Sequence, residues 1–195
     1  MQKNIPLILA SSSPRRKELL RQIGVDFVVD PADVDEGVLP GEAPEGYAVR
    51  VALDKARVVS QRYEAGIIIA ADTIVVAGDE ILGKPANAGE AERMLRVLSG
   101  RMHRVITGLA VMHAATGREL VRVSETRVWF RDLSAEEITA YAASGEPLDK
   151  AGAYGIQEKG ALLVGRIEGC YFNVVGLPVS LLGEMLREFG INLLK

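Results

Sequence analysis

The sequence predicts a mixed α/β fold, and three patterns support that prediction. Short continuous apolar runs such as Ile5–Ala10 are typical of strands covered on both faces. Segments with apolar side chains at three- and four-residue spacing alternate with these runs, as expected for helices packed on a sheet. Two long strand-like segments, Arg104–Met112 and Leu120–Phe130, are joined by a short turn that contains Gly117. We therefore expect a twisted, mixed central sheet with flanking helices.

The first half of the chain is expected to alternate strands and helices. Ser13 as N-cap, Pro14 at the first helical position and Gly24 as a stop delimit the first helix. Composition and spacing predict four further segments: a strand at Asp26–Asp30, an acidic loop at Pro31–Pro44, a helix at about Glu45–Tyr63 and a buried strand at Gly66–Ala71.

Capping residues mark two helices of the second half. One begins at Asn87, with Glu90 three residues on in a pair that resembles a capping box, and ends at Gly100. A capping box formed by Ser134 and Glu137 begins another helix. The remaining segments are an irregular Gly-rich stretch and a final helix, at Glu146–Gly160 and after Pro178.

Composition limits the classes of function. With 195 residues we expect a single domain over 1–195, with room for an inserted or appended lobe. One cysteine and two histidines cannot form an internal disulfide or a structural zinc site. A net charge of −3 argues against a nucleic-acid duplex as partner. No apolar run approaches the roughly 18 residues of a spanning helix, and Met1–Asn4 leads directly into a strand, so we expect neither a membrane partner nor a signal peptide.

The segment Ser11–Arg16 is a candidate anion site. Three hydroxyl side chains end a strand, and two arginines follow in the first turn of a helix. A helix N-terminus offers unpaired N–H groups, and arginine presents a planar fork to phosphate oxygens. The alternative is a capped helix with solvated arginines, although cations in a first turn oppose the helix dipole.

Asp72 follows the apolar run Ile67–Ala71, so we expect it where a buried strand emerges. Ligand sites of open α/β sheets gather at the carboxyl ends of strands. A carboxylate there can act as a general base or bind a divalent cation. The alternative is a turn-forming aspartate before a second strand.

Two lysines and an acidic pair are further candidates. Lys55 has valines at four- and three-residue spacing, which places it near the apolar face of its helix, from which most lysines extend to water. Lys84 lies in a rigid loop between Gly and Pro. Asp35 and Glu36 could bind a metal ion, or be ordinary solvated surface.

Several common sites are excluded by their missing motifs. His103 and His113 have no nucleophile motif nearby and lack the HExxH spacing. The Gly152–Gly155 segment is no dinucleotide fingerprint, and a Walker A loop is missing. Dehydrogenase and P-loop functions are therefore not expected.

Taken together, the motifs resemble the Maf family of nucleoside-triphosphate pyrophosphatases, which is related in fold to the inosine triphosphate pyrophosphatases. The matching segments span nearly the whole chain: Leu9–Arg16, Asp35-Glu36, the helix around Lys55, Ala71–Thr73, Gly83–Pro85, Ser99-Gly100, Gly145–Gln157 and Val175–Pro178. The resemblance implies two lobes around a cleft and hydrolysis between the α and β phosphates with a divalent metal, Mg²⁺ or Mn²⁺. It also implies a cytoplasmic enzyme that is commonly a homodimer.

The resemblance implies roles for individual residues. Asp72 matches the proposed proton acceptor, and Glu36 with Asp72 matches the acidic metal site. Four residues match positions that bind the phosphates of the substrate: Ser11, Arg16, Lys55 and Lys84.

Arg15, Thr73 and Gln157 resemble the family branch directed at dTTP and UTP. A second branch prefers N7-methylated GTP and typically has an aromatic residue, Gln and Glu at these positions. A neutral Gln offers both a donor and an acceptor, which suits the edge of uracil or thymine, whereas a carboxylate suits the donor-rich edge of guanine.

The main prediction is therefore a dTTP/UTP pyrophosphatase that removes unwanted or modified pyrimidine nucleotides. One alternative is a 7-methyl-GTP pyrophosphatase. Another is a non-catalytic, nucleotide-binding regulator of cell division, which the septum-related name of the family suggests. Nucleic-acid binding through Arg15–Lys17 and Arg101–Arg104 is a weaker alternative, because the overall charge is acidic.

Overall fold

The computed structural model describes residues 5–194. The strands are β1 (Leu7–Leu9), β2 (Val28–Val29), β3 (Ile67–Ala77), β4 (Glu80–Leu82), β5 (Met102–His113), β6 (Glu119–Phe130) and β7 (Val164–Glu168). The helices are α1 (Pro14–Gln22), α2 (Pro44–Ser60), α3 (Ala88–Leu98), α4 (Ala135–Ala143), α5 (Tyr171–Val175) and α6 (Val179–Glu188). The prediction that no signal peptide is present concerns Met1–Asn4, which lie outside the described residues.

The strands form one mixed sheet in the order β2-β1-β3-β5-β6-β7, and β4 pairs with β3. The chain divides into two compact units. The first unit contains the described residues up to Asp72, Thr107–Ser124 and the described residues from Gly176 onward. The second unit contains Thr73–Ile106 and Glu125–Val175. The expectation of a single domain over 1–195 stays a prediction.

In the first unit, β1 pairs in parallel with both β2 and β3. Ile8 and Ile68, which are opposite each other in the β1–β3 register, are fully buried. Helix α2 covers this part of the sheet with Ala52, Ala56 and Val59. Its close approach depends on Gly108 of β5, where an added Cβ would lie 2.1 Å from the Ala48 carbonyl oxygen. The backbone of β5 therefore fixes the distance of α2 from the sheet.

In the second unit, β3 and β4 form an antiparallel hairpin, and β6 pairs antiparallel with β7. Helices α3 and α4 contribute Leu95, Leu98 and Ile138 to its core. Both helices begin as the sequence predicts. Asn87 accepts from the Glu90 N–H at 3.0 Å, and Ser134 with Glu137 forms a complete capping box.

The predicted fold class is confirmed, whereas three short elements were not predicted. Strands β4 and β7 and helix α5 have three to five residues each, too few for a periodic pattern to develop. The stretch Glu146–Gly160, expected to be irregular, contains two short 3-10 helices and the start of a third, which ends at Leu162. Within 5–194, every helix is too short or too polar to cross a lipid bilayer.

Candidate active site

Asp72 lies in the middle of β3, which corrects the expectation that a strand ends there. The strand continues without a break from Ile67 to Ala77, so the alternative of a turn-forming aspartate is wrong as well. The parallel partner β1 ends earlier, because its register with β3 stops at Leu9 opposite Ile69. Asp72 therefore lies beyond the carboxyl end of β1, and it is 8% exposed. The carboxyl end of a parallel strand remains the feature that places this carboxylate.

Lys55 joins the carboxylates of two separate segments. Its Nζ lies 2.7 Å from Asp72 Oδ1 and 2.7 Å from Glu36 Oε1. The side chain does not extend to water as lysines on an apolar helix face usually do, because Lys55 is only 8% exposed. A buried ammonium requires partners of opposite charge, and both carboxylates meet that requirement. Because both contacts are 2.7 Å long, Glu36 Oε1 and Asp72 Oδ1 lie no farther apart than twice that length.

Helix α2 also holds the loop that carries Glu36. The Tyr47 hydroxyl donates to the Glu36 carbonyl oxygen at 2.8 Å, and Arg50 Nη2 donates to the Gly37 carbonyl oxygen at 2.8 Å. Arg50 is itself fixed by two hydrogen bonds to Glu42, of 2.6 and 2.8 Å. We call Glu42, Tyr47 and Arg50 the loop clamp. Because Lys55 is on the same helix, α2 sets where Glu36 stands relative to that ammonium.

The electrostatics of Tyr47 agree with its place beside the carboxylates. Burial, together with the negative charges of Asp72 and Glu36, raises the pKa of the Tyr47 hydroxyl to about 12. The hydroxyl therefore stays protonated and keeps donating to the loop. The Arg50 hydrogen bonds lower the pKa of Glu42, so this carboxylate stays charged to a lower pH than an isolated glutamate does.

Arg16 lies beside the same carboxylates. Its Nη1 donates to Ser11 Oγ at 3.2 Å, and its Nε donates to the Gly176 carbonyl oxygen at 2.8 Å. Burial lowers the pKa of the Arg16 guanidinium, and the charge of Asp72 opposes that shift. Ser13 caps α1 by accepting from the Arg16 N–H at 3.4 Å, as predicted. Arg16 is therefore part of a built site and not a solvated arginine.

The first unit thus brings together five of the residues singled out in the sequence: Ser11, Arg16, Glu36, Lys55 and Asp72. Two carboxylates and two cations can bind an anionic substrate and orient a water molecule or a cation next to it. Arg15 is partly buried in the first turn of α1, where its charge lowers the pKa of Arg16. Asp35 is exposed and accepts from the Gly37 N–H at 2.8 Å, so its carboxylate stabilises the loop.

The other three predicted residues belong to the second unit. Thr73 follows Asp72 on β3 and is partly buried. Lys84 is exposed, in the loop after β4. Gln157 is partly buried in the Gly-rich stretch, which is tied to the Lys84 loop because the Gly152 N–H donates to the Gly83 carbonyl oxygen at 3.0 Å.

The sequence analysis missed the loop clamp and the surroundings of His103. Tyr47 and Arg50 have the three-residue spacing of one helix face, but nothing in the sequence pairs them with the acidic loop. His103, dismissed for lack of a nucleophile, is 1% exposed and hydrogen-bonded to Tyr154.

Fold and site together define a class of mixed α/β proteins in which cationic and hydroxyl side chains surround a buried carboxylate. A solved HAM1 protein from Coxiella burnetii has the same fold, with a TM-score of 0.55 at 17% identity, covering 94% of this chain and 99% of that one. This similarity confirms the predicted inosine triphosphate pyrophosphatase-like fold.

The chain belongs to the Maf family, because residues 6–189 match the family described as Maf-like protein. It is 54% identical to the dTTP/UTP pyrophosphatase of Symbiobacterium thermophilum, over 94% of each chain. It is 50% identical to the dTTP/UTP pyrophosphatase of Moorella thermoacetica, over 95% of this chain and 96% of that one. The family predicted from the motifs is confirmed, and the relatives bear the names of the predicted branch.

Proposed function

We propose that this protein is a nucleoside triphosphate pyrophosphatase that hydrolyses dTTP and UTP to the monophosphate and pyrophosphate. Membership of the Maf family and relatives about half identical over nearly the full chain support this proposal. The structural observation that carries it is the Lys55 ammonium, 2.7 Å from the carboxylates of both Glu36 and Asp72. An arrangement of fixed carboxylates beside Arg16 suits the hydrolysis of a polyanion.

Asp72 is the residue we propose as general base. Its carboxylate is buried, held by Lys55 and mounted on a continuous strand, so its position is well defined. It accepts the proton of a water molecule that attacks the α-phosphorus in line, and pyrophosphate leaves from the opposite side. General-base catalysis of this kind contributes roughly 10²–10⁴-fold to the rate.

The charge of the leaving pyrophosphate is balanced locally. The protein carries a net charge of −3, so its overall field repels a triphosphate. Arg16 and Lys55 place two cations beside Asp72 in the first unit. We propose that both bind phosphate oxygens, together with the Ser11 hydroxyl, and that Lys84, which matches a phosphate-binding position of the family, also binds phosphate. Fixed cations stabilise negative charge as it develops during the reaction.

Glu36 and Asp72 are the residues we propose to hold a divalent cation, Mg²⁺ or Mn²⁺. They already share one cation, Lys55 Nζ, and therefore fit a second cationic ligand. Within 5–194 there is no cluster of three or more acidic, histidine or cysteine side chains suited to a metal. Mg²⁺ typically binds one or two carboxylates together with substrate phosphates, and the pair Glu36 and Asp72 would supply the carboxylates. Bound there, the ion would supply positive charge to the phosphate oxygens.

Selection of the base is assigned to Gln157, Thr73 and Arg15. A Gln side chain has an N–H donor and a carbonyl acceptor, matching the alternating acceptors and donor on the edge of uracil or thymine. The rigid segment around Gln157, attached to the loop of Lys84, supports a role in binding. A fixed amide selects bases strongly, because a mismatched base leaves a buried polar group unpaired.

A nucleotide panel tests the proposal. Purified protein is incubated with dTTP, UTP, 7-methyl-GTP and the other common triphosphates, with and without Mg²⁺ or Mn²⁺, and phosphate and pyrophosphate are measured separately. We expect pyrophosphate and monophosphate from dTTP and UTP, with a large metal dependence. Preference for 7-methyl-GTP would assign the protein to the family branch that hydrolyses N7-methylated GTP. Nucleotide binding without turnover would instead favour the non-catalytic regulator.

We also propose that the enzyme is cytoplasmic and a homodimer. A lone cysteine without a disulfide partner suits a reducing compartment, where the triphosphate pools are found. Phe172 and Leu162 are exposed apolar side chains of the second unit that a partner could cover. Sedimentation equilibrium of the purified protein distinguishes a dimer from a monomer.

A further inference from the structure

The segment that carries Gln157 has an unusual backbone. Ala153 (φ +60°) and Glu158 (φ +55°) are the non-glycine residues within 5–194 that have positive φ. Such conformations are strained for residues with a Cβ, and they persist where the surrounding structure enforces them, often at ligand-binding segments. The two strained residues lie on either side of Tyr154–Gln157. We use the name bracketed segment for residues 152–158, which include both strained residues and Gly152 before them.

Backbone and side-chain contacts hold both ends of the bracketed segment. At its start, Gly152 packs so closely on β3 that an added Cβ would lie 2.8 Å from Val75 Cβ. Just beyond its end, the Gly160 N–H donates to Glu146 Oε1 at 3.1 Å, and the Tyr141 hydroxyl donates to the same oxygen at 2.9 Å. A segment fixed in this way has little freedom to adjust when a ligand arrives.

The middle of the bracketed segment is held by a buried histidine. His103 Nε2 and the Tyr154 hydroxyl are 2.7 Å apart, and these residues are 1% and 5% exposed. Phe130 packs edge-on against both rings, with centroids 5.0 Å from His103 and 4.7 Å from Tyr154. The hydrogen bond therefore lies inside an aromatic cluster, where competition from water is weak.

The pair is electrically neutral. Burial lowers the pKa of His103 to about 4 and raises the pKa of the Tyr154 hydroxyl. Within the described residues, His103 Nδ1 is buried without a hydrogen-bond partner. An apolar ring at position 103 would leave the buried Tyr154 hydroxyl unpaired, so the histidine is needed for this hydrogen bond and not for packing alone.

We infer that His103 and Tyr154 are positioning residues that hold Gln157 where it contacts the base of the substrate. This inference rests on the proposed function for the role of Gln157. Tyr154 precedes Gln157 by three residues, and Ile156 between them is buried, so a shift of the Tyr154 ring moves the amide. The hydrogen bond of the pair and its ring contacts with Phe130 involve none of the phosphate-binding residues named above. Its loss should therefore weaken contacts with the base and spare contacts with the phosphates.

Binding calorimetry with UMP and with pyrophosphate separates these two kinds of contact. The variants are Tyr154→Phe, Gln157→Ala and the double variant, with Tyr171→Phe as a matched control that removes an exposed hydroxyl in the same unit. We expect Tyr154→Phe to weaken UMP binding about tenfold, the effect of roughly one neutral hydrogen bond, and to change pyrophosphate binding less than about twofold. The double variant should bind UMP as Gln157→Ala does, because both changes remove one contact. Tyr171→Phe should resemble the wild type.

Conservative replacement of the histidine provides a second test. The amide of His103→Gln can reach the Tyr154 hydroxyl, so this variant should keep UMP affinity within about threefold, whereas His103→Leu should lose about tenfold. Equal weakening of UMP and pyrophosphate binding by Tyr154→Phe would overturn the inference. A double variant whose loss of UMP affinity is the product of the two single losses would overturn it as well, as would a wild type that does not bind UMP. Absence of pyrophosphate release from UTP would instead refute the proposed function, and the binding comparison would still decide the inference.

Discussion

The two regions proposed to contact the substrate are stabilised by different kinds of interaction. In the first unit, Lys55 and Arg16 face the carboxylates of Glu36 and Asp72, and charge attraction holds them in place. In the second unit, the segment around Gln157 is held by a neutral hydrogen bond inside an aromatic cluster, and its backbone is strained at Ala153 and Glu158. The first region offers charged side chains to the phosphates, and the second offers the rigidly held amide of Gln157 to the base.

This difference indicates that chemistry and base selection can be damaged separately. Ion pairs respond to loss of charge, because removing one partner leaves the other buried and uncompensated. A rigid neutral segment responds to loss of shape or of a single hydrogen bond. Substitutions of the charged residues around Asp72 should therefore lower turnover of every substrate. Substitutions in the segment around Gln157 should change the preference among bases.

The largest effect is expected for Asp72→Asn. The change keeps the size of the side chain and removes the base, so kcat should fall roughly 10²–10⁴-fold for both UTP and dTTP while nucleotide binding persists. Single-turnover and binding measurements check this. Asp35→Asn is the matched control, because Asp35 is an exposed carboxylate of the acidic loop and should behave as the wild type. Activity near wild type in Asp72→Asn would move the base elsewhere, with Glu36 the next candidate.

The neutral pair of the second unit predicts a pH effect on stability. Burial lowers the pKa of folded His103 to about 4, below the roughly 6.5 of an unfolded histidine. The unfolded chain then binds a proton at a higher pH than the folded chain does. The stability that depends on neutral His103 is complete above about pH 6.5 and is lost as the pH falls toward 4, by about 3 kcal/mol.

The comparison with His103→Gln isolates this effect, because glutamine does not titrate. Denaturant unfolding at a series of pH values from 7 to 4 should show that the free energy of unfolding falls more steeply for the wild type than for His103→Gln. Identical pH dependence in the two proteins would mean that His103 is not protected from protonation in the folded state.

Gln157→Glu should change selection of the base. A carboxylate facing the carbonyl oxygens of uracil or thymine loses a donor and adds repulsion, which costs about 1–3 kcal/mol, or roughly 5- to 150-fold in kcat/KM for UTP. The triple change with Arg15→Trp and Thr73→Gln should move preference toward 7-methyl-GTP, since an aromatic ring can stack on the cationic base. An unchanged ratio of the two kcat/KM values would show that Gln157 does not contact the base.

The smallest effect is expected in the loop clamp. Tyr47→Phe removes one hydrogen bond to the Glu36 carbonyl oxygen, worth about 1 kcal/mol, and leaves the ring in place. We expect the Mg²⁺ concentration for half-maximal activity to rise a few-fold, with the ratio of UTP to 7-methyl-GTP hydrolysis unchanged. A change in that ratio would break the division of roles between the two units.

The sequence predicted most of the charged site, because its residues sit in recognisable local patterns. Ser13 and Pro14 define the start of α1, and Asp72 follows an unbroken apolar run. Such signals are local and can be read along the chain. The length of β3 could not be read in the same way, since its continuation beyond Asp72 depends on pairing with β4, a strand of three residues.

Contacts between distant residues were beyond prediction from the sequence. Tyr47 meets Glu36 eleven residues away, and His103 meets Tyr154 fifty-one residues away. Neither pair belongs to a spacing rule for helices or strands, so only the folded chain reveals it. The positive φ of Ala153 is similarly hidden, because alanine itself gives no preference for that conformation.

We expect water activated by Asp72 to attack the α-phosphorus of the substrate. Hydrolysis of UTP in water enriched in oxygen-18, followed by mass spectrometry of both products, shows which phosphorus is attacked. Attack at the α-phosphorus places the label in UMP and leaves pyrophosphate unlabelled, and Asp72→Asn should form labelled UMP at least about a hundredfold more slowly. Label in pyrophosphate would mean attack at the β-phosphorus and would rule out this mechanism.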